Sequence, residues 1–326
     1  MNGITDERDD FSVFKQGGMI EPNHETADGN ALPSGLGELR RKFLSDVATL
    51  RPALHRFCAR MCGSSLDGED VVQETLAQAF FALPTLADPS RLKAWLFRIA
   101  HHKCVDFIRR NQRRQDTVPY EEGSDAALGE GGSEDAAVAV DAALAALVAE
   151  LPPKERAAVV LKDVLDLPLA EIADVIDSTI GGTKAALHRG RTKLLSVRSA
   201  PVAAPRRLDA RQRELLDAYV DCFNNQDWEG LRRLVRGDAR LEIVGAAEGT
   251  MQDAGNNYIR NSAAQASHWR LSVARVDGET VIVRWRNVDD AWRPSTAIRL
   301  WSDGDQVVHI RDYLHVDYLL RGAVVE

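Results

Sequence analysis

Between Arg91 and Arg114 the sequence reads RLKAWLFRIAHHKCVDFIRRNQRR. This is one amphipathic helix: Leu92, Trp95, Leu96, Ile99, Cys104, Phe107 and Ile108 recur at the three-to-four spacing of a half-buried face. The other face carries Arg91, Lys93, Arg98, Lys103, Arg109, Arg110, Arg113 and Arg114 against a single acid, Asp106. A stripe so one-sided suits a phosphate backbone, because each neutralised phosphate releases a counterion. The histidines and aromatics interleaved with it can touch unstacked bases. The competing reading is a solvated helix face, and what flanks the stretch decides between them.

The net charge of -8 argues against nucleic-acid binding only if the charge is spread evenly, and it is not. Met1–Glu38 holds eight acids and two basic residues, and Asp116–Ala137 holds seven acids and no basic residue. The basic residues gather at Arg91–Arg114 and Lys184–Arg207. The global figure therefore averages basic modules with acidic connectors. A length of 326 residues predicts two or three domains, and 44% hydrophobic content is enough for real cores. Four unevenly spaced cysteines make no disulfide framework, no apolar run reaches a membrane span, and the N-terminus lacks a signal pattern. The expectation is a cytoplasmic chain with no membrane partner and no cofactor.

Taken in order, 1–37 reads as a disordered acidic tail. Residues 38–114 form a helical domain: a helix over Glu38–Met61 that Pro52 kinks or splits, a helix over Glu69–Leu83 capped by Asp67, a loop, and the basic helix. An acidic flexible linker follows over 115–136. Residues 137–198 hold helices over Ala137–Glu150, Lys154–Leu165, Ala170–Ile176 and Gly181–Val197. The last two, joined by a tight turn, make a helix-turn-helix whose second helix carries Lys184, His188, Arg189, Arg191 and Lys193 without an acid. A short linker, 199–207, leads to 208–326. There two helices precede alternating strands over Arg240–Val244, Trp269–Val276, Thr280–Asn287, Ser295–Trp301 and Gln306–Tyr313, with a helix over Tyr258–Ala266. Asp277-Gly278 and Asp303-Gly304 mark hairpins, so the domain reads as α+β, an antiparallel meander curled over helices. The fold class is thus two all-α domains followed by an α+β domain.

The stretches EDVVQETLAQAF, KAWLFRIAHHKCVDFIRR, and LPPKERAAVVLKDVLDLPLAEIADVI followed by GGTKAALHRGRTKLL, in that order, resemble the sigma-70 family, in its small extracytoplasmic-function type. The resemblance spans about Glu38 to Val197. It implies an RNA polymerase specificity subunit that binds core polymerase and promoter DNA to direct initiation. Asp70, Gln73 and Glu74 would grip the polymerase; Lys93, Arg98, His101, His102, Arg109 and Arg110 would serve the −10 element; Lys184, His188, Arg189 and Arg191 would serve the −35 element. The sequence departs from many relatives at His102, where Asn is common, and at Gly182 and Ala186 in the recognition helix, so −35 reading is expected to be weak or altered. The alternative function is a helix-turn-helix regulator with a small-ligand-binding domain.

Residues 208–318 are similar to the SnoaL-like domains of the polyketide-cyclase and nuclear-transport-factor superfamily, through LLDAYVDCFNNQDWEGLRRLV, LEIV and VVHIRDYLHVDYL. That fold is a cone around an apolar pocket, with Tyr219, Phe223, Trp285, His309 and Tyr313 as lining candidates here and an unknown small ligand as a possible partner. His309 and Asp312 lie three apart on one strand and so point to opposite faces, which argues against catalysis. A regulatory role, packing on the two helical domains, is expected instead. His55, Cys58, Cys62, His101 and Cys104 have spacings that zinc accepts, but they coincide with apolar stripes, so no metal is expected.

Overall fold

The computed structural model describes residues 34–117, 151–196 and 209–326. The expected tail up to residue 33, most of the 115–136 linker, the helix over 137–150 and the 199–207 linker lie outside the described residues. By internal contacts the chain divides into Met1–Phe43 and Leu44–Glu326, and the packing below is that of the second unit.

The first module has three helices: α1 (Ser34–Cys62), α2 (Ser65–Ala82) and α3 (Leu92–Thr117). Two expectations change here. α1 runs unbroken through Pro52, with Leu54 and Phe57 fully buried just beyond it. α2 is capped by Ser64, whose Oγ accepts from the Asp67 N–H at 3.2 Å, so Asp67 is not the cap but lies in the first turn, where a carboxylate is favoured. α1 and α2 touch at Gly68, where a Cβ would come within 2.5 Å of the Ala59 backbone, so only glycine allows this crossing. α3 buries Leu96, Phe97, Ala100, Cys104 and Ile108, as its period requires.

The second module begins with α4 (Pro153–Val159), which ends in a π-helical turn over Val160–Val164 instead of continuing as α-helix to Leu165. α5 (Leu169–Val175) and α6 (Ile180–Ser196) are the helix-turn-helix, turned at Asp177 with a positive φ of 47°. α3 packs on α5, and buried Arg156 donates from Nη1 to the Met61 carbonyl of α1.

The third module opens with α7 (Ala210–Asn224) and α8 (Trp228–Leu234). Its strands are β1 (Val235–Ile243), β2 (Ala247–Thr250), β3 (Trp269–Val276), β4 (Glu279–Val288), β5 (Ala291–Asp303) and β6 (Gln306–Asp312), with α9 (Met251–Gln265) before β3. The order is β2-β1-β6-β5-β4-β3. The meander is correct for β3 to β6, but β1 joins it parallel to β6.

Both faces of this sheet are buried. One packs Tyr219, Phe223, Tyr258 and Ile259 of α7 and α9 against Leu271, Ile282, Ile298 and Ile310. The other packs Val281, Val283 and Ala297 against Tyr313, Val316, Leu319 and Leu320 of the C-terminal segment, and Leu66 of α2 joins that second core. The first module therefore reaches into the hydrophobic core of the third.

Candidate site: an acidic helix face held by an arginine pair

Along β5 and β6 the outward positions Arg299 and Arg311 are direct cross-strand partners. Two cations opposite each other on one sheet face are unfavourable, and here carboxylates separate them. Arg299 Nη2 donates to Asp67 Oδ1 at 2.8 Å and Nη1 to Asp70 Oδ2 at 3.2 Å, while its Nε donates to Glu279 Oε1 at 2.8 Å. Arg311 reaches Asp70 Oδ1 at 3.0 Å and Glu242 at 3.4 Å. The Tyr313 hydroxyl donates to Asp70 at 2.9 Å. Asp67 and Asp70 can meet the pair together because they stand three apart on one helix face.

Burial raises the Asp70 pKa to about 6, against the pull of Arg311, Arg299 and the Tyr313 hydrogen bond. Burial alone would lower Arg299, but Glu279, Tyr313 and Asp67 outweigh it and raise its pKa. Behind this cluster lies Glu69, fully buried. It accepts from Arg51 at 2.8 Å, Gln73 at 2.6 Å and the Tyr318 hydroxyl at 3.2 Å, so a buried carboxylate is fully partnered. Ser65 N–H donates to Asp277 at 2.7 Å and closes the seam.

Of the candidates on α2, Asp70 is thus held by the C-terminal domain and Gln73 by Glu69. Glu74 faces the other way, towards Lys103 at 3.6 Å and Arg110 at 4.0 Å of α3.

On the basic helix, Lys93, Arg98, His102, Arg109 and Arg110 are exposed. His101 is not: it is 7% exposed, both ring nitrogens are buried without a hydrogen bond, and burial next to His102 lowers its pKa to about 4. Adjacent helical residues point about 100° apart, so His101 falls on the buried side with Phe97 and Cys104. In this arrangement it is not part of a DNA-facing surface. Arg98 and His102 both meet Asp177 of the helix-turn-helix turn, at 3.0 and 2.7 Å, and Arg91 pairs with Asp174. On α6, Lys184, His188, Arg189 and Arg191 are all exposed; Lys184, His188 and Arg191 fall on one side, and Arg189 points away from them; Arg189 pairs with Glu155 at 2.7 Å and Arg191 with Asp163 at 3.0 Å. Ala186 is buried, and so it packs instead of reading a base.

The lining residues expected for a ligand pocket do not converge. Tyr219 and Phe223 sit in the helix-side core, while Tyr313 and Trp285 belong to the opposite face. His309 stacks on Trp301 with ring centroids 4.3 Å apart. Between the sheet and α9 lies a buried ion pair: Arg284 donates to both oxygens of Asp312, at 3.1 and 2.8 Å, with Tyr258 on the same carboxylate at 3.0 Å and the Trp269 ring 4.6 Å from the guanidinium carbon. Cys58, Cys62 and Cys104 adjoin one another between α1 and α3 as free thiols, and burial raises the pKa of Cys58 and Cys104. The His55 ring nitrogen is turned to the Ser65 carbonyl at 2.9 Å. Among the described residues no group of three or more His, Cys, Asp or Glu is placed to hold a metal, and no helix is long and apolar enough to cross a membrane.

Sequence reasoning misses Arg299, Arg311 and Tyr318. For the two arginines a signal exists: charged residues interrupt AIRLW and VHIRDY at positions whose neighbours alternate into two cores.

Comparison with known proteins gives two family matches, sigma-70 region 2 over residues 47–114 and sigma-70 region 4 over residues 141–194. The chain is 30% identical over 198 residues to the ECF RNA polymerase sigma factor SigE of Mycolicibacterium smegmatis, covering 56% of this chain and 71% of the relative. It is 27% identical over 310 residues to the ECF RNA polymerase sigma factor SigG of Mycobacterium tuberculosis, covering 85% of this chain and 82% of the relative. A solved structure, that of the Mycobacterium tuberculosis extracytoplasmic function sigma factor SigJ, is similar at 19% identity and a TM-score of 0.33, over 86% of this chain and 98% of that one.

Proposed function

Because the chain belongs to the extracytoplasmic-function RNA polymerase sigma factors of the sigma-70 family, we propose that it directs promoter-specific initiation from a closed state in which its own C-terminal domain covers the helix face that grips polymerase. Asp70 carries this reading. It would meet a basic segment of the core enzyme, and here Arg299, Arg311 and Tyr313 occupy both of its oxygens. A basic polymerase segment and the arginine pair would compete for one carboxylate, so docking on the core requires the C-terminal sheet to leave α2.

The DNA-facing residues fit the same scheme. Arg91, Arg98 and His102 would meet the −10 element, and the acids of the helix-turn-helix stand in for phosphate on that face. Lys184 and His188 stay exposed for the −35 element, with Arg189 and Arg191 released from Glu155 and Asp163 when DNA phosphates replace them. The buried Arg284–Asp312 pair between the sheet and α9 supports a structural and regulatory role for this domain.

Run-off transcription with core polymerase tests the proposal. A truncation after Arg198 should initiate more strongly than the full chain. Equal activity under all conditions would defeat it.

A further inference from the structure

His101 of α3 is 7% exposed, and neither of its ring nitrogens has a hydrogen bond. A buried polar group left unpartnered costs stability, so its place in the fold asks for a reason. His101 stands three residues after Arg98 and three before Cys104, about 60° round the helix from each. Both of those residues face the second module. Arg98 pairs with Asp177 in the turn after α5, and Cys104 feels the charge of Arg156 from α4. His101 therefore lies in the middle of the seam where α3 packs on α4 and α5. The charges that act on its ring come from His102 on its own helix, Asp177 of the turn and Lys154 of α4. Further along the seam, Asp174 of α5 is paired with Arg91.

A protonated imidazole carries two N–H donors and a positive charge, and this seam answers neither. Asp177 is already engaged on both oxygens, by Arg98 at 3.0 Å and by His102 at 2.7 Å. Lys154 adds a like charge. We propose that His101 is an acid-sensitive latch: with its ring neutral the second module stays on α3, and protonation drives the two apart. Separation uncovers Arg91, Arg98 and His102, and its effect on transcription rests on the DNA-facing role proposed for them above. The direction follows from linkage. Burial, with His102 and Lys154, outweighs Asp177 and lowers the pKa of the enclosed ring to about 4, against an ordinary 6.5. The open arrangement therefore binds more protons, and the seam weakens as the pH falls below about 6.5 towards about 4.

Energy transfer between dyes at exposed Gln112 in α3 and Ala185 in α6 of the full chain tests the latch, at fixed salt and in a His102→Gln background. That background removes the neighbouring imidazole, whose pairing with Asp177 would respond to acid in the opposite sense. The open-to-closed ratio should rise about tenfold between about pH 7.5 and about pH 5.5. His101→Phe, shown to be folded by its circular-dichroism melting curve, should abolish the rise, and His101→Leu does the same where Phe overfills the site. A ratio that does not move over that range, or that rises equally in a folded variant, overturns the proposal. So does a His101 imidazole resonance that titrates near 6.5 while the dyes report the closed arrangement, a measurement that needs neither variant. The readout involves neither polymerase nor DNA. Promoter-duplex binding at about pH 7.5 judges the DNA-facing role on its own, so the two readings fail independently.

Discussion

Among the described residues, one ionic cluster joins the first module to the third and another joins it to the helix-turn-helix, and they differ in kind. At the arginine pair, the side chains of Arg299, Arg311 and Asp70 are 9%, 17% and 25% exposed, and Leu66 packs into the same core beside them. At the helix-turn-helix, Arg98, His102 and Asp177 are 53%, 53% and 46% exposed. Exposed pairs are worth about 0–1 kcal/mol and are screened by salt. A buried cluster adds little net stability over an apolar one, yet removing one member leaves the others desolvated and unpaired. Under the proposed function, the first contact would act as a clasp that opens as a unit, and the second as a loose cover that DNA phosphates would displace while the clasp stays shut.

The largest effect should follow from Arg299→Met. It leaves Asp67, Asp70 and Glu279 together without their shared cation, and the closed state should lose about 3–5 kcal/mol. Energy transfer between dyes at two exposed positions, Gln78 in α2 and Asp305 beside β6, would report the separation. Tyr313→Phe removes one hydrogen bond to a buried carboxylate and should cost about 1–3 kcal/mol in the same assay.

The pH response separates the contacts further. Asp70 has a pKa of about 6 in the closed state, because burial there outweighs Arg311, Arg299 and Tyr313, against an ordinary 3.8. A carboxylate raised in this way binds more protons when docked than when free, so docking weakens as the pH rises from about 4 through about 6. The energy-transfer signal should therefore show a tighter closed state at about pH 5 than at about pH 7.5, with about one proton taken up on closing. Asp70→Asn should flatten that dependence.

The smallest effect should come from Asp174→Ala/Asp177→Ala, at about 1 kcal/mol or less in the closed state. Raising the salt from about 0.01 M to about 1 M shrinks the Debye length from about 30 Å to about 3 Å. Dyes at Gln112 in α3 and Ala185 in α6 should move apart over that range, while the Gln78–Asp305 pair holds.

Much of this is legible in the sequence. Trp269–Val276 is a strand with the bounds its alternation gives, and the helix-turn-helix falls within a residue or two of its apolar period. What is not legible depends on distant pairing. The parallel placement of β1 beside β6 joins segments far apart in the chain, and no local period encodes it. Aromatic character alone suggests a pocket role for Tyr313, yet it stands one residue after Asp312, so the two lie on opposite faces and Tyr313 turns to α2. The charge of its neighbours suggests a DNA-facing role for His101, although its spacing from Phe97 and Cys104 places it inside.

The most direct measurement is the affinity of the full chain for core polymerase with and without Arg299→Glu/Arg311→Glu, in a variant whose melting curve shows it to be folded. Opening the clasp should tighten binding by about tenfold or more. Unchanged or weaker binding by the folded variant would contradict the account.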